Sequence, residues 1–123
     1  MNSTTSERRL EFDAVLDLCR DRRRRIVLAV LADQQRSLTL NDLVKTIVKH
    51  NHHLPVTAVS GAEFSRVRVS LTHVHIPALE AASVIDYDSN RALVEPTARF
   101  DELQPRLSAV IEADPELEQP VEL

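Results

Sequence analysis

The side chains of this chain best suited to chemistry are its histidines and arginines. His73 and His75 stand two apart in Ser70-Leu-Thr-His-Val-His-Ile-Pro-Ala-Leu79, and His50 and His53 stand three apart in His50-Asn-His-His53. Paired histidines suggest an ion site. Residues i and i+2 diverge by about 160° around a helix, however, so His73 and His75 do not close on one ion. His50 and His53 share a face only if their helix reaches that far. An ion sensor gathers three or four Cys, His, Asp or Glu ligands, and Cys19 is the one cysteine. The expectation is no metal site, with His75 at the core's edge, hydrogen-bonded to the chain. There is no Gly-rich phosphate loop, nucleophile motif or paired-carboxylate signature, and Gly61 is the one glycine. The chain reads as a non-enzyme that needs no cofactor.

The arginines point to anions. Arg22–Arg25 follow Asp21 at the start of a helical pattern. Four cations at the positive end of a helix dipole are locally unfavourable. Either nearby acids such as Asp17 and Asp21 or an anionic ligand must offset them, and helix-start amides favour phosphate. Arg23, three before Ile26, is expected to turn inward, which leaves Arg22, Arg24 and Arg25 as phosphate contacts. Further along, Arg66 shares a helix face with Ser65, Val69, Thr72, His73 and Ile76. Ser65, Arg66, Thr72 and His73 suit contacts to DNA base edges or backbone. Val69 and Ile76 suit a protein contact better. The opposite face, Phe64, Val67, Leu71, Val74, Ala78 and Ala82, is the core side by helical periodicity. Arg91 lies near a hairpin tip, where Asp86 and Asp88 oppose it, so its backbone contact is expected to be weak.

These residues must be positioned by elements that periodicity reveals. Phe12, Val15, Leu16 and Cys19 form an amphipathic stripe, Asp21 caps a second helix with Ile26, Val27, Val30 and Leu31 inward, and Ser37–Leu40 reads as a brief strand. Thr39 or Asn41 then caps a helix carrying Leu43, Val44, Ile47 and Val48, and Pro55 blocks its continuation. Ser60 with Glu63 forms a capping box that opens the longest helix, to about Ala82. Pro77 is expected to bend it. Val84–Asp88, a turn at Ser89-Asn90 and Arg91–Val94 form a β-hairpin, with Asn90 the best residue for a left-handed conformation. Leu103, Leu107, Val110 and Ile111 mark a last helix that tolerates Pro105 if it starts near Asp101.

The fold class is therefore mainly α with a small β-hairpin wing, a winged helix-turn-helix with flanking terminal helices. Residues 1–6 are expected to be disordered, 7–113 to form one domain with its core at 22–95, and 114–123 to be a disordered acidic tail. The 123 residues suit one domain. Net charge is −4, but residues 1–94 carry +2 and residues 95–123 carry −6. No apolar run is long enough for a membrane span, no signal-type segment opens the chain, and a lone cysteine does not imply oxidising export. A cytoplasmic protein is expected.

The arginine-rich opening Asp21-Arg-Arg-Arg-Arg-Ile-Val-Leu28, the His-x-His-x-Pro-x-Leu segment and Val84-Ile-Asp-Tyr-Asp88 resemble winged-helix domains of unassigned function in haloarchaeal proteins. These domains are similar to regulators of the ArsR/MarR type, and the resemblance covers about residues 10–95. It implies a DNA-binding transcriptional regulator, with residues 60–82 as recognition helix in the major groove of double-stranded DNA and wing 84–94 on the backbone. It also implies a homodimer through the terminal helices (Phe12, Val15, Leu16, Cys19, Leu103, Leu107, Val110 and Ile111). Related sequences often carry Ala-Gly before the wing where this chain has Ala82-Ser83, which predicts a less sharply turned helix end. The alternative function is a protein-protein interaction module that kept the fold without direct DNA binding.

Overall fold

Asp21 sets the junction between the first two helices. Its carboxylate accepts hydrogen bonds from the amides of Arg23 (2.8 Å) and Arg24 (3.3 Å), satisfying two donors that a helix start leaves unpaired. The computed structural model describes residues 3–52, 58–117 and 121. In it α1 (Ser3–Cys19) ends just before this cap and α2 (Arg22–Gln34) begins just after it. Every residue from Ile26 to Leu31 is buried. A helix that is apolar all round belongs in the middle of a fold, and α2 lies against α1, α3 and α6.

A left-handed Gln35 (φ 52°) ends α2 and leads to β1 (Leu38–Thr39). Thr39, not Asn41, caps α3 (Leu40–His52): its hydroxyl accepts from the Asp42 amide (3.0 Å), and the Asp42 carboxylate accepts from the Thr39 amide (3.4 Å). After α3, Ser60 accepts from the Glu63 amide at 3.2 Å, as the capping box predicts. It opens α4 (Gly61–Ser70), which continues without a break through a π turn (Leu71–His75) into α5 (Ile76–Ala81).

That π turn corrects the expected helix faces. The Ile76 amide donates to the Leu71 carbonyl, five residues back. In a regular α-helix the ring of Pro77 would meet the carbonyl of His73. The wider turn inserts one residue ahead of the proline and relieves that contact. Val67 and Leu71 are buried as the α-helical period requires, but beyond them the buried face moves on by one residue. It comprises His75, Ile76 and Leu79. Val74, expected inside, is 55% exposed, and Ile76, expected outside, is 1% exposed.

The helix end is sharply turned despite lacking glycine. Ser83 takes the left-handed conformation (φ 64°), its amide donates to Glu80 O (2.9 Å), and the Val84 amide donates to Leu79 O (3.2 Å). β2 (Ile85–Asp88) and β3 (Leu93–Pro96) then form the wing. The sheet order is β1-β3-β2, antiparallel throughout, with Leu38 opposite Val94 and Asp88 opposite Leu93. The turn is longer than Ser89-Asn90. The Asp88 carboxylate accepts from the amides of Asn90 (3.0 Å) and Arg91 (3.2 Å), holding those residues in a tight turn. The left-handed residue is consequently Ala92 (φ 49°), not Asn90.

Thr97, whose hydroxyl accepts from the Phe100 amide, caps α6 (Ala98–Glu112). The helix starts three residues before the expected Asp101, so Pro105 lies in its interior, on an exposed position. α6 lies against α1 and α2, and Arg99 and Arg106 both reach Glu11 across the α1–α6 contact. One core runs through all of these elements. The chain is mainly helical with a small three-stranded antiparallel sheet, an arrangement compatible with a winged-helix-like fold.

Candidate nucleic-acid interface

The outward side of α4 presents Ser65, Arg66, Arg68, Val69 and, in the π turn, His73 and Val74, all exposed, with Thr72 half-buried beside them. Arg66 is paired to Glu63 one helical turn before it. On α3, packed against α4, the exposed side chains among the described residues are Asn41, Lys45 and Lys49. Among the described residues, the exposed charges of these two helices are thus Lys45, Lys49, Arg66 and Arg68. Their carboxylates, Asp42 and Glu63, are half-buried. Arg68 was not legible as a candidate because it lies at the flank of the face that Arg66 defines; its exposure in the fold is what brings it in. The same region also carries a shallow hollow lined by Ser65, Arg66, Val69, Ser70 and Val74, and Val69 (57%) and Val74 (55%) are the most exposed large apolar side chains described.

The arginine run is arranged differently from expectation. Arg24, expected as a phosphate contact, is buried (7% exposed), whereas Arg23, expected to turn inward, is half-buried. The reason is the helix phase: Arg24 precedes Leu28 and Leu31 by four and seven residues and shares their inward side. Arg22 donates to Glu116 Oε2 (3.0 Å) and to the His50 carbonyl (3.4 Å). Arg25 donates to Asp114 Oδ2 (3.0 Å) and to the carbonyls of Cys19 (2.6 Å) and Arg20 (3.2 Å). The offsetting acids are therefore Asp114 and Glu116, with Asp21 at the cap. Within the segment read as a disordered tail, these carboxylates sit on the arginines, and Leu117 and Val121 are buried. The amide of Glu116, followed by Arg25, holds the Asp114 carboxyl below its ordinary range.

His75 is inside the fold (3% exposed), with Nε2 3.1 Å from Ser70 Oγ and 3.7 Å from Asp21 Oδ1. It couples the π turn to the cap of α2. Burial pushes its pKa down, with Arg24 and Arg23 acting in the same direction and Asp21 opposing. His73 is exposed, so the two histidines of the pair face different environments. His53 lies outside the described residues. Among the described residues, no group of three or more His, Cys, Asp or Glu is placed to hold a metal ion.

Arg91 is exposed at the wing turn. Asp88 spends its carboxylate on backbone amides, while Asp86 remains exposed on β2. Of the terminal stripes, Val15, Cys19, Leu103, Leu107 and Ile111 are buried inside the chain, Val110 is partly buried, and Phe12 (50%) and Leu16 (45%) remain exposed. Burial pushes the Cys19 thiol pKa up. Among the described residues, no helix is long and apolar enough to cross a membrane.

A protein-family model described as a domain of unknown function (DUF7344) matches residues 16–95, from the end of α1 through the wing. No curated protein and no solved structure matches the chain.

Proposed function

The chain belongs to the DUF7344 family, a domain of unknown function; for it we propose a DNA-binding transcriptional regulator, not an enzyme, working in the cytoplasm as a homodimer. The observation that carries this reading is the charge on α3 and α4: every exposed charge described there is cationic. In this reading the continuous helix of α4, the π turn and α5, about residues 60–82, lies in the major groove. Arg66 and Arg68 meet phosphate or guanine, Ser65, Thr72 and His73 meet base edges or backbone, and Arg91 meets the backbone from the wing. Arg22 and Arg25 join as phosphate contacts; Arg24, being buried, does not.

Titration of labelled duplex DNA at several salt concentrations tests the reading. Log affinity should fall linearly with log salt, by about 0.9 for each phosphate neutralised. Arg66→Ala with Arg68→Ala should weaken binding to all sequences and flatten that slope. No binding at low salt, or binding without a salt slope, overturns the proposal.

One observation favours a second reading, a protein-protein interaction module. The hollow between Val69 and Val74 is apolar and open, and exposed apolar clusters mark contact surfaces. Recovery of one protein in stoichiometric amount and no DNA, lost in Val69→Asp, would favour it.

A further inference from the structure

We infer that Asp114 and Glu116, in the turn that follows α6, form an acidic strap that occupies the anion site formed by Arg22 and Arg25, and that the backbone of a nucleic acid displaces it. The identity of the polyanion rests on the DNA-binding reading above; the strap and its site do not. Two carboxylates two residues apart meet two guanidinium groups one helical turn apart, each pair at 3.0 Å. The contact is built rather than incidental. The Glu116 amide donates to Asp114 Oδ1 (2.9 Å), which shapes the turn immediately after α6. Leu117 and Val121 are buried, and Val121 sits with Leu28, Ala29, Phe100, Leu107 and Ile111 along the groove between α2 and α6. The apolar anchors therefore hold the acids over the arginines.

The site does not depend on its occupant for its shape: Arg25 also bonds to the carbonyls of Cys19 and Arg20, and Arg22 to the His50 carbonyl, and none of these bonds involves a strap carboxylate. Both guanidinium groups then stand preorganised for oxyanions, and phosphate accepts the same bonds as carboxylate. The two halves of the strap differ. Glu116 is 71% exposed, so its pair with Arg22 is weak and readily screened. Asp114 is 11% exposed and holds Arg25 in a drier setting. Displacement accordingly begins at Glu116. The strap lowers polyanion affinity in the free protein and makes binding depend on how many phosphates arrive together.

The test uses the full chain, a heparin column and labelled duplex DNA. Asp114→Asn with Glu116→Gln should elute from heparin at higher salt than the parent. It should also bind duplex more tightly, on the order of tenfold at low salt, with a steeper salt slope. A charge-matched control, Asp13→Asn with Glu102→Gln, neutralises two exposed acids on the terminal helices and should move elution clearly less. Adding Arg22→Ala and Arg25→Ala to the strap variant should erase its gain. Glu116→Gln alone leaves the Asp114 anchor in place and should give a smaller gain of the same kind, which guards against a double variant that fails to fold. The inference is overturned if strap and control variants elute alike, or if the gain survives loss of both arginines. An arginine-dependent gain on heparin without any duplex binding would uphold the strap and sink the DNA reading.

Discussion

Two residues show how local chemistry is used without glycine. Ser83 holds a left-handed backbone at φ 64° where the helix turns into the wing. That conformation costs a residue with a Cβ about 1–2 kcal/mol, part of which glycine returns through its freer unfolded chain. Ser83→Gly should raise stability by about 0.5–1 kcal/mol in urea denaturation; an unchanged midpoint would mean that the serine side chain contributes as much as the backbone loses. His75 is the other case. Because burial depresses its folded pKa, the unfolded chain binds more protons in the acid range. Its stabilising effect is therefore complete above the unfolded value of about 6.5 and is lost as pH falls through the folded one. His75→Leu should flatten the decline of stability between about pH 7 and 5. A decline as steep as the parent's would place the titrating group elsewhere.

Among the elements, the π turn decides which side chains the helix from Gly61 to Ala81 shows. It makes opposite predictions from a regular helix at two neighbouring positions. Ile76→Ala should cost about 2–5 kcal/mol as a core truncation, and Val74→Ala should cost under about 0.5 kcal/mol as a surface change. Equilibrium unfolding of both variants checks the register, and a reversed ranking would restore the α-helical phase. This element also marks where reading the sequence stopped short. The caps at Asp21 and Ser60, the order of helices and the hairpin were legible because capping and periodicity are local, while the choice between Thr39 and Asn41 stayed open. Pro77 signalled a disturbance, yet whether it kinks the helix or widens one turn depends on what packs beneath it, and His75, Ile76 and Leu79 supply that only in three dimensions. The arginine run failed for the same reason. A helical wheel places Arg22–Arg25 around α2, but only the distant Asp114 and Glu116 determine which of them are engaged.

For the whole molecule, the terminal helices are spent largely on each other, and Glu11 with Arg99 and Arg106 ties them together. Among the described residues, the large apolar side chains they leave exposed are Phe12 and Leu16, one turn apart on α1 and about half exposed. In the proposed homodimer this pair is the contact that the terminal helices offer. Phe12→Ser with Leu16→Glu should convert dimer to monomer in sedimentation experiments while leaving the helical signal intact. A parent chain that sediments as a monomer at high concentration would remove the dimer from the proposal.

β2 lies at one edge of the sheet, hydrogen-bonded on one side to β3, and it exposes Asp86 and Asp88. Those aspartates would weaken a grip on a polyanion, so under the proposed DNA-binding reading they count against the wing. At an open strand edge they do a different job, since charge there keeps identical strands from joining edge to edge. A wing recharged to hold nucleic acid more firmly would lose that protection, and its gain in grip would come with a tendency to aggregate.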